Sequence, residues 1–132
     1  MLVYAGSSAN AGNNQCLGIF SDQHVACPTS PLFGGTFGPL PRSGTVANLT
    51  AVVGAAPASG KSWTIQVLDG GSDGSGTTVV YSCTVATGAT TTSGCGAGGG
   101  GATVPAGHFL KVQVTTSSGA ANTTWVAMFE LQ

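Results

Sequence analysis

Ser62-Trp63-Thr64-Ile65-Gln66-Val67-Leu68 and, beyond a glycine-rich gap, Thr77-Thr78-Val79-Val80-Tyr81-Ser82-Cys83-Thr84-Val85-Ala86 read as two strands of one sheet. In the first, Trp63, Ile65 and Val67 fall on one face and Thr64 and Gln66 on the other. In the second, Val79, Tyr81, Cys83 and Val85 share a face. Alternation with a period of two marks a half-buried strand. The gap between them, residues 69–76, is rich in Gly, Asp and Ser, the composition of a hairpin loop. Working outward, the same signals recur. Residues 45–53 form a strand before a turn with Pro57, and residues 87–101 are a Thr- and Gly-rich link with a short strand near 90–93. Residues 102–104 are a short strand before the Pro105-Ala106-Gly107 turn. Residues 108–116 place His108, Leu110, Val112 and Val114 on one face, and residues 122–131 place Thr123, Trp125, Ala127, Phe129 and Leu131 together. Strands at this spacing predict an all-β antiparallel sandwich or barrel.

Composition agrees. Only seven of 132 residues are charged, 5% of the chain, and the net charge is −1. Gly, Ser and Thr supply 52 residues, and Gly or Pro interrupts most windows long enough for a helix. Three cations cannot neutralise a row of phosphates, so no nucleic-acid partner is expected. No apolar run approaches the roughly 20 residues of a membrane span, and no membrane partner is expected. Met1-Leu2-Val3-Tyr4-Ala5-Gly6 has neither a basic region nor a long apolar core, so no signal peptide is expected.

Residues 1–44 read differently. Short apolar groups are separated by Gly, Asn and Ser, and Pro28, Pro31, Pro39 and Pro41 bracket Phe33 and Phe37. Proline cannot donate to a central ladder. This part is therefore expected to be an irregular, extended N-terminal arm (residues 1–44) ahead of a β-sandwich domain (residues 45–132).

Four cysteines allow three pairings. The local one, Cys16 with Cys27 and Cys83 with Cys95, closes two short loops and is the one expected; the alternative is four reduced, buried thiols. On a chain-entropy argument each loop is worth about 3 kcal/mol.

Several strings imitate chemical motifs. Gly94-Cys95-Gly96-Ala97-Gly98-Gly99 has dinucleotide-loop spacing, but Gly-Gly-Ala-Thr-Val-Pro follows where a helix must start. Gly60-Lys61-Ser62 resembles the end of a phosphate loop, yet a strand follows it. Asp69-Gly70-Gly71-Ser72-Asp73-Gly74 suggests a calcium loop without its third-position ligand or its terminal carboxylate, since Val80 stands at position 12. Asp22 and His24 lack a nucleophile elbow to serve. Cys16, His24, Cys27 and His108 lack zinc-ligand spacing. Asn48-Leu49-Thr50 and Asn122-Thr123-Thr124 are glycosylation sequons, informative only in a eukaryotic secreted protein. The expectation is no catalytic residue, no metal and no cofactor: a protein that works as a surface.

The segment Pro39-Leu40-Pro41-Arg42-Ser43-Gly44-Thr45-Val46-Ala47-Asn48-Leu49, then Gly60-Lys61-Ser62-Trp63-Thr64-Ile65-Gln66-Val67, then Val104-Pro105-Ala106-Gly107-His108-Phe109-Leu110-Lys111-Val112, resembles a recurring layout. It resembles small jelly-roll domains of tailed-phage virion proteins and the C1q/TNF-like tips of spore-surface proteins. His108 stands where Asp is common there, and Asp69-Gly70 with an insertion replaces the usual Asn-Gly turn. The resemblance implies a jelly-roll sandwich that assembles as a homotrimer. Without a collagen-like stalk, it looks most like a capsid decoration (cement) protein that binds the major capsid protein on the virion exterior. Phe33, Phe37, Trp125 and Phe129 are the candidate subunit or capsid contacts. The alternative is a carbohydrate- or receptor-binding module on an extracellular surface.

Overall fold

The computed structural model describes residues 1–27, 36–98 and 101–132. Among these residues there is no helix. Eleven strands follow one another: β1 (Leu2–Ala11), β2 (Gln15–Ile19), β3 (His24–Ala26), β4 (Thr36–Phe37), β5 (Gly44–Val53), β6 (Trp63–Asp69), β7 (Thr78–Val85), β8 (Ser93–Ala97), β9 (Thr103–Val104), β10 (Leu110–Thr115) and β11 (Thr123–Leu131). Their order in the sheet is β8-β7-β6-β10-β2-β1-β11-β5-β9, with β3 on β2 and β4 on β10. Every pair named is antiparallel.

The sheet curls until its margins meet. Val52 on β5 forms an isolated bridge with Thr91, just before β8. The Val53 amide donates to the Thr90 carbonyl at 2.9 Å, and the Thr92 amide to Ala51 at 3.2 Å. The enclosed core draws on both halves of the chain. Trp63 and Trp125 meet edge to face, centroids 5.6 Å apart and planes at 90°. Around them lie Val3, Leu17, Leu49, Ile65, Val67, Leu110, Val112, Val114 and Phe129, all buried.

Two bulges reset the alternation. On β5 the register against β11 shifts between Met128 and Glu130, and Asn48 takes φ 55°. Asn tolerates this left-handed conformation better than most residues do. The shift lets both Val46 and Leu49 point inward. On β7 the register against β6 shifts between Val67 and Leu68. Val80 therefore takes the inward place that strict alternation assigns to Val79 and Tyr81, while Cys83 and Val85 stay inward.

The expected irregular arm over residues 1–44 is corrected for most of its described length. β1 is an interior strand, paired with β11 along one side and β2 along the other. β2 is held between β1 and β10. The reason is size. Val3, Ala5 and Ser7 are small enough to be buried without the large apolar residues that advertise a core strand. At Gly6 even a Cβ would come within 2.5 Å of the Tyr4 hydroxyl. Pro28, Pro31 and Phe33 lie outside the described residues.

Both expected bridges are present, Cys16–Cys27 and Cys83–Cys95. The first joins β2 to the segment after β3. The second ties β8 to β7, and its two sulfurs lie 3.3 and 3.5 Å from the Leu49 carbonyl oxygen on β5.

Candidate functional site

The outer side of β5, β11 and β1 carries a run of exposed apolar residues. The alternation that turns Trp125, Ala127 and Phe129 inward turns Val126, Met128 and Glu130 outward. Register then fixes their neighbours. Val126 stands between Val52 and Gly6, Met128 between Thr50 and Tyr4, and Glu130 between Ala47 and Leu2. Directly opposed residues on one face have Cβ atoms about 5 Å apart, so these rows are contiguous. Four of the members are large, apolar and open to solvent: Leu2 at 56%, Val52 and Val126 at 49%, and Met128 at 37%. Glu130, at one margin, accepts a hydrogen bond from the Gln132 amide at 2.9 Å.

This corrects the reading of Trp125 and Phe129. At 1% and 0% exposure they are core residues and cannot touch a partner. The strand is right and the sense of its faces is reversed. The alternation shows which residues stand together, while the depth of each face depends on what packs against it. Phe37 is half-buried. Phe33 lies outside the described residues.

At the margin beyond Leu2 the chain builds a groove of about 360 Å³. Met1, Phe37, Leu40, Pro41 and Leu131 form apolar walls, and Arg42 stands at its rim. The floor is held by paired backbone. Thr45 and Gln132 exchange N–H to O bonds at 2.8 and 2.9 Å, and the Met1 ammonium donates to Leu131 at 2.8 Å. Gly44 permits the packing, because a Cβ there would lie 2.7 Å from Leu131 Cδ1. The Leu40 amide donates to the His108 carbonyl at 2.9 Å, which anchors the far wall. Phe37 extends that wall outward by an edge contact with Phe20, centroids 5.4 Å apart. Phe20 is 54% exposed and sits at φ 53°, unusual for a bulky side chain.

The titratable residues singled out in the sequence serve loops. Asp69 accepts from His108 Nδ1 at 2.8 and 3.0 Å and from the Gly71 amide at 2.8 Å. This ties the β6–β7 loop to the start of β10. Asp73 accepts from the Ser75 hydroxyl and amide, and these bonds hold its carboxyl below the usual range. The two acids that suggested calcium are thus engaged in their own loop. Cys16 and Cys27 are bridged to each other and hold no metal. Among the described residues no three His, Cys, Asp or Glu side chains are grouped as metal ligands. Lys111 was missed by sequence reading. It is 1% exposed, on the opposite face of β10 from Leu110 and Val112, and burial pushes its ammonium below the usual lysine value while Asp73 partly offsets this.

Tyr4 flanks the apolar rows and donates to Asp22 Oδ1 at 2.5 Å. That bond first, then burial and the Asp22 charge, raises its phenol above 10.0. A proton held more tightly in the folded state stabilises fully below the unfolded value and is lost as pH rises through the folded one. Above pH 10 the wild type should therefore lose stability more steeply than Tyr4→Phe. Equal slopes in urea titrations from pH 9 to 11 would refute the link.

No family model matches the chain, and no curated protein matches it.

Proposed function

We propose that this chain is a structural protein of a virion exterior, a homotrimeric decoration protein that stiffens the shell by binding the major capsid protein. The observation that carries the reading is the uncharged apolar surface of Leu2, Val52, Val126 and Met128 on the outside of β1, β5 and β11. Contiguous exposed apolar rows on a soluble fold mark a contact surface. A homotypic contact brings like charges near each other, so a face nearly free of charge suits self-association.

The finer fold reading is a jelly roll, and strand order supports it. Taking β1, β2, β5, β6, β7, β8, β10 and β11 as first to eighth, the first pairs with the eighth and the eighth with the third. The third meets the run entering the sixth at the Val52–Thr91 bridge. The second pairs with the seventh, the seventh with the fourth, and the fourth with the fifth. Two interleaved four-stranded layers in this order are the pattern of a double Greek-key jelly roll. The resemblance of residues 39–131 to phage jelly-roll domains points the same way.

Light scattering on the native chain should give the mass of three copies, and the protein should co-sediment with intact heads of its virus. Val126→Lys with Met128→Glu should yield monomers that keep the native circular-dichroism spectrum, because both positions face solvent in the single chain, with a melting temperature that no longer depends on protein concentration. A wild-type monomer that ignores heads would overturn the proposal and favour a carbohydrate- or receptor-binding module.

A further inference from the structure

We propose that the groove beside Arg42 is a binding site for an apolar group that ends in a carboxylate, a ligand site separate from the sheet face that carries the assembly reading. Lys61 Nζ already donates to the Gly119 carbonyl at 3.1 Å, and Lys111 is buried. Arg42 is exposed, and it makes no ion pair or hydrogen bond with the described residues. A guanidinium presents a planar fork of donors that matches a carboxylate in two parallel bonds. Its position is specific: it stands on the rim of the groove, beside walls made by Leu40, Leu131 and Phe37.

The groove supplies the other half of the ligand. Its volume of about 360 Å³ sits at the lower end of the roughly 300–1,000 Å³ typical of small-molecule sites. That suits one short aliphatic chain or one large apolar side chain. The walls are fixed before binding, by the Thr45–Gln132 pair on one side and the Leu40–His108 bond on the other, so little ordering cost falls on the ligand. The aromatic edge is also held in readiness. Phe20 is kept in a left-handed backbone conformation and packed against Phe37 while more than half exposed. Backbone strain at an exposed aromatic is a feature that recurs at ligand clamps. The nearby acid, Glu130, is turned to the Gln132 amide.

Two sources offer this chemistry: a free short-chain fatty acid, and the C-terminus of a peptide whose last residue is large and apolar. The test titrates the isotope-labelled full chain by NMR with octanoate, 1-octanol and octylammonium. A second arm uses acetyl-Gly-Gly-Leu as free acid and as amide. Saturable shifts at Arg42, Gly44 and Leu131 are expected with octanoate, weaker ones with octanol and none with octylammonium. Arg42→Gln should weaken the carboxylate on the order of tenfold, the usual worth of a charge-assisted bond, and leave octanol unchanged. Phe37→Ser should weaken both. Binding of the free-acid peptide in preference to octanoate would assign the peptide source, and the reverse preference the lipid source. No saturable binding of either carboxylate, or the same affinity in Arg42→Gln, would overturn the proposal. None of these outcomes depends on the oligomeric state or on capsid binding, so the site and the assembly reading stand or fall separately.

Discussion

Trp125→Ala should destabilise the fold by about 3–5 kcal/mol, the usual loss when a buried Trp is truncated in a packed core. Trp125 is 1% exposed, and its only ring partner among the described residues is Trp63, at 90° and 5.6 Å. The cavity would open where β11 meets β6 across the core, a place that rigid paired strands cannot easily collapse to fill. Trp125→Phe should lose much less. The indole N–H is buried and has no hydrogen-bond partner among the described residues, so removing it forfeits no bond there and deletes an unsatisfied donor. Urea unfolding of both variants followed by circular dichroism separates the effects. Near-equal losses in the two would mean that the indole ring itself, and not its volume, carries the stabilisation.

The second large effect is at the seam. Replacing Cys83 and Cys95 together by Ala should cost about 3 kcal/mol on the loop-closure argument. In a domain of this size that lowers the melting temperature by on the order of 10 °C. The Cys16–Cys27 bridge closes a loop of similar length, a separation of 11 against 12, so the global loss on removing it should be similar. The local consequences should differ. The Cys83–Cys95 sulfurs sit over the Leu49 carbonyl, next to the few hydrogen bonds that join β5 to residues 90–92. Loss of this bridge should speed hydrogen exchange at the Val53 and Thr92 amides, while loss of Cys16–Cys27 should leave them protected. Equal protection in both variants would show that the seam closes without its staple.

β5, β6, β7, β10 and β11 were legible because large residues alternate with small or polar ones, as at Trp63, Ile65 and Val67; β8, at Ser93–Ala97, lies beyond the short strand expected near 90–93, because its residues are all small. β1 and β2 were not legible. Leu-Val-Tyr-Ala-Gly-Ser-Ser-Ala-Asn-Ala reads as a loop until small residues are seen to be what a crowded interior strand needs. The bulges at Asn48 and Val80 are likewise invisible to a period-two count, since each inserts one residue and reverses the sense of what precedes it. The exposed apolar face was half legible. Residues 122–131 were rightly read as two-faced, but large aromatics drew attention to the wrong face. Val52, Val126 and Met128 are ordinary strand residues, and only register shows that they adjoin. The groove had no sequence signal, because it joins residues 37–44 to the ends of β1 and β11, which are far apart along the chain.

That last juxtaposition bears on how the chain must be made. β1 lies between β2 and β11, with a hydrogen bond from Met1 to Leu131 across 130 residues. As the chain is made from its N-terminal side, β1 precedes the other ten strands described here and its partner β11 follows them all. The inner residues of β1, Val3 and Ala5, stay uncovered on one flank until Phe129 and Ala127 have been made. The small size of those residues then acquires a second meaning. A nascent strand with few large apolar side chains is a poor seed for aggregation, so β1 can wait in the open as a stickier strand could not.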